Sequence, residues 1–187
     1  MQMQRVYKVL GFVVCFTFIF SLLTTVSYAR TKEEINASVN AALDRFKKQV
    51  KGADEYLKVA KGVLVMPNVT KAGFIVGGQY GQGALNVGGK TVDYYSLAAG
   101  SLGWQIGAEQ YDMVIIFTTG EALSKFRTSE GWEAGADAEV TLIVSGVDVP
   151  VSTLTSQHPV LGFVVDQKGL MAGISVKGAK FTKIKPD

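Results

Sequence analysis

The sequence has 187 residues, 48% of them hydrophobic, with nineteen Lys plus Arg against sixteen Asp plus Glu and a formal net charge of +3. That length supports one domain with a sizeable core, and the small charge excess falls short of the strong basic bias of a nucleic-acid-binding surface, so no nucleic acid is expected as a partner. The single cysteine, Cys15, leaves no disulfide to form within the chain, and the single histidine, His158, leaves a zinc site to carboxylates alone.

Arg5 and Lys8 precede an apolar stretch from Val9 to Val26, and Ser27 and Ala29 put small residues at the −3 and −1 positions of a cleavage site. This is the three-part layout of a secretory signal peptide over residues 1–29. The competing reading is a retained anchor, since about 18 mostly apolar residues can just span a bilayer, but Thr17, Ser21, Thr24 and Thr25 weaken it. Cys15 lies in mid-run after Phe12, Val13 and Val14, which is not a lipid-attachment context. The expectation is an exported protein of the periplasm or cell envelope, with residues 30–187 as a single mature domain free of cysteine.

Thr31 and Glu34 fit a capping box and predict a helix start. Ile35, Val39, Ala42, Leu43, Phe46 and Val50 then recur every three or four residues, one apolar stripe ending before Gly52. A second short helix is predicted from Asp54 to Lys61, closed by Gly62. Lys47, Lys48, Lys51, Lys58 and Lys61 gather near the helix ends. Beyond Gly62 short apolar or alternating runs are broken by glycine. They predict strands at Val63–Met66, Gly73–Gln79, Ala84–Val87, Thr91–Ser96, Ser101–Ala108, Met113–Thr118, Val140–Val144, Val160–Val165 and Gly173–Val176. One further helix is predicted over Gly120–Phe126. Glycines within strand-like runs imply bulges and bends, so the expected fold is α+β: a single domain with a strongly curved, barrel-like antiparallel sheet and N-terminal helices packed against it.

Motifs of catalysis are near misses. Ser101 follows Ala99 and Gly100 but opens a strand-like run rather than a helix, and an acyl-transfer site would have to recruit His158 and an acid. The stretch GGQYGQG, Gly77 to Gly83, lacks the lysine and hydroxyl of a phosphate loop and is expected to be a hairpin turn with Tyr80 at its tip. Asp93, Glu109, Asp112 and Glu133 single out no acid and base pair. An enzyme is not expected, nor a metal or other cofactor.

The two ends of the mature chain are basic and its middle acidic: eight basic and five acidic residues from Arg30 to Lys61, four and nine from Gly62 to Val165, five and two from Asp166 to Asp187. Two readings stand, a shared cationic face for an anionic surface, or ordinary solvated lysines.

Four stretches together resemble the SYLF domain: AKGVLVMPNVTKAGFIVGGQYGQGAL from Ala60 to Leu85, YYSLAAGSLGWQIGAEQYDMVIIF from Tyr94 to Phe117, GWEAGADAEV from Gly131 to Val140, and FVVDQKGLMAGISVKGAKFTKI from Phe163 to Ile184. The resemblance implies lipid binding, since eukaryotic members bind phosphoinositides and related anionic lipids and some fungal members bundle actin. It assigns membrane contact to an amphipathic N-terminal helix, here the region Arg30 to Val50, and to basic surface. An exported chain would meet no actin. The expected function is non-enzymatic binding of anionic phospholipid in the envelope through Lys47, Lys48, Lys51, Lys58 and Lys61, extended by Lys168, Lys177, Lys180 and Lys183 if the C-terminal strand lies beside the helices. The alternative is a structural or protein-interaction module in which those lysines only solvate the surface.

Overall fold

Thr31 opens the first helix as its capping box predicts. In a computed structural model that describes residues 30–73, 76–102, 107–144, 149–166, 169–171 and 174–187, its side chain accepts from the Glu34 N–H, and the Glu34 carboxylate accepts from the Thr31 N–H at 3.0 Å. The predicted signal peptide at 1–29 and Lys168 lie outside these residues. Helix α1 (Lys32–Gln49) buries Ile35, Val39, Ala42 and Phe46, the predicted stripe. Gly52, in the left-handed region at φ 80°, then starts α2 (Ala53–Val59). This helix stops short of the predicted Lys61 because the Lys61 N–H already donates to the Phe117 carbonyl at the start of the sheet.

The remaining elements are β1 (Gly62–Gly73), β2 (Val76–Val87), β3 (Lys90–Leu102), β4 (Gly107–Phe117), α3 (Gly120–Thr128), β5 (Trp132–Glu133), β6 (Thr141–Ile143), α4 (Val151–Gln157), β7 (Val160–Asp166), β8 (Gly169–Leu170) and β9 (Lys180–Ile184). Among the described residues nine strands form one sheet in the order β5-β9-β3-β2-β1-β4-β7-β6, with β8 on β7. The sheet curls strongly into a half-barrel, and the whole is a single α+β domain as expected. It is mixed rather than wholly antiparallel, because β6 pairs parallel to β7. A parallel neighbour needs a crossover, and α4, which carried no helical signal in the sequence, lies within it.

The sheet has a core on each face. Along β1, Val63 and Val65 point to the layer of α1, α2 and α4, where Phe46 and Tyr56 meet Phe163 edge-on at 5.0 Å each. Leu64 and Met66 point the other way, into a cluster closed by α3, β5 and β9. Its centre is Phe126, 4.6 Å from Tyr95, 4.9 Å from Phe117 and 5.3 Å from Trp132 between ring centroids.

Three further sequence expectations need correction. The stretch from Gly77 to Gly83 is not a turn; it lies inside β2, with Tyr80 paired to Thr70 on one side and Ala98 on the other. Glycine is there for close approach: a Cβ on Gly83 would overlap the Val65 carbonyl oxygen and lie 2.8 Å from the Met66 Cα. That contact sits where β1 shifts register around Pro67 and Asn68, with Asn68 at φ 52°. Thr91–Ser96 and the start of the run at Ser101 belong to one strand, β3, whose Ala98, Ala99 and Gly100 pair without a break. Of the expected Gly173–Val176, Gly173 lies outside the described residues and 174–176 is not strand; the last strand is Lys180–Ile184. Phe181 at its centre fills the Trp132 and Phe126 cluster, whereas Ile174 and Val176 pack there from irregular chain.

Candidate functional site

The lysines expected to meet lipid fall into separate places. Lys47 and Lys48 ride the exposed last turn of α1, where cations complement the carbonyl end of a helix. Lys51 follows, exposed, and Gly52 turns the chain so sharply that α2 begins at once; a Cβ on Gly52 would also press on Val151 at 3.0 Å. Lys47, Lys48, Lys51, Asp54 and Glu55 line an open groove of about 620 Å³ between the two helices. Lys58 is exposed on α2, and Lys61 is exposed where the chain enters β1.

The orientation of this groove is set from beneath. Arg45, one residue before the buried Phe46, reaches the sheet, and its Nε donates to Asp112 at 2.6 Å. Asp112 is 4% exposed and also accepts the Asn68 N–H at 3.0 Å, so one carboxylate ties α1 to β4 and to the irregular turn of β1. The hydrogen bond to Asp112 raises the Arg45 pKa against the opposing effect of burial. Nothing in the periodicity of α1 distinguishes Arg45 from its solvated neighbours, and sequence reasoning missed it.

The C-terminal lysines lie elsewhere. Strand β9 pairs with β3 and β5, and the Lys32 N–H bonds the Asp187 carbonyl at 3.1 Å, so the chain end lies beside the first turn of α1. Lys47 and Lys48 are some fifteen residues further along the helix, about 22 Å at 1.5 Å per residue. Lys177 and Lys180 are exposed and cover Gly135 and Gly131 next to β5. Lys183 binds Asp93 at 2.8 Å, and Asp93 also pairs with Arg127 of α3 at 3.2 Å.

Three tyrosines are shifted by their surroundings, and at Tyr56 burial raises the hydroxyl pKa with Glu55 adding to the effect. Burial pushes the Tyr95 hydroxyl up to about 12, with Asp93 adding to the effect and Arg127 opposing it. Burial also raises Tyr111, aided by Glu109, and its hydroxyl donates to the buried Gln79 amide oxygen.

The structure does not assemble the serine and histidine considered above. Ser101 pairs with Gly77 at one end of the sheet, beside Gly73 of β1, whereas His158 lies two residues before β7 at the end marked by Gly62 and Phe117. The length of β1, about 35 Å at 3.3 Å per residue, separates those ends. The His158 ring instead bonds Thr141 at 3.0 Å through Nδ1. Among the described residues no three His, Cys, Asp or Glu side chains are placed to hold a metal, and no helix is long and apolar enough to cross a membrane.

Residues 98–186 match the family model described as Ysc84: Las17-binding protein actin regulator, the model of the SYLF domain. No curated protein matches the chain.

Proposed function

We propose that this chain, whose residues 98–186 match the SYLF-domain model, is a non-enzymatic domain of the cell envelope that holds anionic phospholipid at the groove between α1 and α2. The family is associated with lipid and actin binding. Las17 and actin stand in the family's description; the predicted export signal would keep this chain from meeting them.

The observation that carries the reading is the convergence of Lys47, Lys48 and Lys51 around one groove on an anchored helix end. Each cation close to an anionic membrane contributes at most about 1 kcal/mol, so three together supply at most about 3 kcal/mol, roughly a hundredfold in partitioning, which Asp54 and Glu55 in the same groove reduce. Screening shrinks this within a Debye length of about 8 Å at physiological salt. Lys58 and Lys61 add to the same side of the mechanism as long-range attraction. Lys177, Lys180 and Lys183, on the β9 edge, would act as a second contact rather than an extension of the first.

The test is flotation of the exported protein, its N-terminus read by mass spectrometry, with phosphatidylglycerol vesicles and with neutral phosphatidylcholine vesicles. Binding to the anionic vesicles at low salt, lost at 0.5 M salt (about 4 Å Debye length) and lost in K47E/K48E/K51E, is the expected result. Absence of binding at low salt sinks the proposal. Association that survives both high salt and the triple reversal would favour the interaction-module reading. For that reading the exposed row Ala108, Ala72, Gly78 and Gly100, aligned across four strands, offers the surface.

A further inference from the structure

We propose that the cleft between α3 and β9 is a second, distinct anion site that takes a phosphate group through Arg127, Lys183 and Ser124. The cleft has a volume of about 390 Å³ and is lined by Gly120, Leu123, Ser124, Arg127, Thr128 and Lys183. That size falls at the small end of ligand pockets. It lies at the opposite edge of the sheet order from β7, on which Phe46 and Tyr56 pack, and it stands whether or not Lys47, Lys48 and Lys51 meet a membrane.

Among the described residues the charges at this cleft do not balance. Asp93 is the single carboxylate bridging two cations, accepting from Arg127 Nε at 3.2 Å and from Lys183 Nζ at 2.8 Å. Being 16% exposed against 43% for Arg127 and 44% for Lys183, it sits behind them and holds both heads at the cleft wall. Arg127 uses only Nε on Asp93 among the described residues, which leaves its two terminal nitrogens as a fork, the arrangement that grips two phosphate oxygens at once. Lys183 supplies a point charge beside it. Ser124, one helical turn before Arg127 on α3, has a hydroxyl with no bond to any described residue, whereas the Thr128 hydroxyl is occupied by the Ser124 carbonyl at 2.9 Å. A fork, an ammonium and a hydroxyl make three kinds of donor for the three oxygens of a phosphate, and Leu123 adds an apolar wall for whatever bears it.

The floor is rigid. Tyr95 is the cross-strand neighbour of Lys183 and stacks on Phe126, the residue before Arg127, in the packed aromatic cluster. The ligand is therefore a phosphate-bearing small molecule or a lipid headgroup presenting the same group.

An amide and Arg Nε NMR titration of the full chain with inorganic phosphate, in chloride buffer, reads the site directly. Saturable shifts at Ser124, Arg127 and Thr128 are expected, weakened about tenfold in R127Q and in K183Q and unchanged in K47Q/K48Q. S124A, which removes a hydroxyl bonded to nothing else, keeps the question open to measurement if R127Q fails to fold, and a severalfold loss is expected. A parallel arm with phosphatidic acid vesicles, whose headgroup is a terminal phosphate, separates the two sources. Vesicle binding that depends on Arg127 assigns a headgroup, and phosphate saturation without it assigns a soluble phosphate compound. Shifts that do not saturate, or that respond to K47Q/K48Q as much as to K183Q and S124A, overturn the proposal, and loss of vesicle binding in K47E/K48E/K51E alone leaves it standing.

Discussion

Removing the Asp112 carboxylate would test whether α1 is held by one buried group. In D112A the Asn68 N–H loses a part-buried bond at 3.0 Å to a side chain that is itself buried, a loss of about 1–3 kcal/mol. Arg45 also loses its partner, but its side chain is 36% exposed and recovers water, so its share is only about 0.5 kcal/mol. The expected destabilisation is about 2–3 kcal/mol. D112N keeps an oxygen for Asn68 while removing the charge, and should cost about 1 kcal/mol. Urea unfolding followed by far-ultraviolet circular dichroism measures both, as a shift of midpoint of about 1–2 M for D112A with an unchanged slope. Should D112A stay within about 0.5 kcal/mol of the parent, the carboxylate is not the tie described above. Should D112N cost as much as D112A, the charge pair and not the Asn68 amide carries the energy.

The tyrosines give a pH dependence. An unfolded tyrosine ionises near 10, whereas Tyr95 is held up to about 12 and Tyr111 is raised as well, so the unfolded state loses protons first. Stability should be level below about pH 10 and fall as pH rises through about 12, and urea midpoints at stepped pH should show a shallower fall in Y95F. At neutral pH the two tyrosines part company. Tyr95 has a buried hydroxyl with no partner among the described residues, so Y95F should be neutral or slightly stabilising, while Y111F strands Gln79 and should lower stability by about 1–2 kcal/mol in the same assay. G83A pushes a methyl into the Val65 carbonyl and should cost about 3 kcal/mol or more, whereas G100A meets open space and should fall within about 1 kcal/mol in thermal melts.

The elements legible in the sequence were those whose signal is local. Thr31 and Glu34 marked the start of α1 because a cap is made within one turn, and the α1 stripe fixed its buried face. Gly81 and Gly83 misled because a glycine that permits a turn and one that permits two strands to touch look alike until the partner strand is known. Helix α4 was hidden because the β-branched and hydroxyl residues of VSTLTSQ carry weak helix propensity; Leu154 and Val151, packed in the α2 layer, hold it in place. The site divides the same way. The lysines were visible as a charge bias, but Arg45 with Asp112, and Asp93 with Arg127 and Lys183, pair over 67, 34 and 90 positions of sequence. No composition or spacing announces such pairs.

The burial of the α1 stripe narrows how the proposed lipid binding could work. A helix that enters the headgroup boundary must give its apolar face to the bilayer, and Ile35, Val39, Ala42 and Phe46 are no more than 1% exposed against the sheet. Freeing them would strip four side chains from a core that includes Phe163, at a cost of several kcal/mol, more than three surface lysines return. Membrane contact by insertion of α1 therefore contradicts the fold, and the amphipathic pattern that resembles a membrane helix is used up within the domain. What α1 still offers is its charged end. Binding through it has to be peripheral, salt-sensitive and indifferent to acyl chains. A vesicle series that varies chain length at fixed surface charge should leave the affinity unchanged, whereas a steep dependence on acyl packing would mean that α1 leaves the sheet.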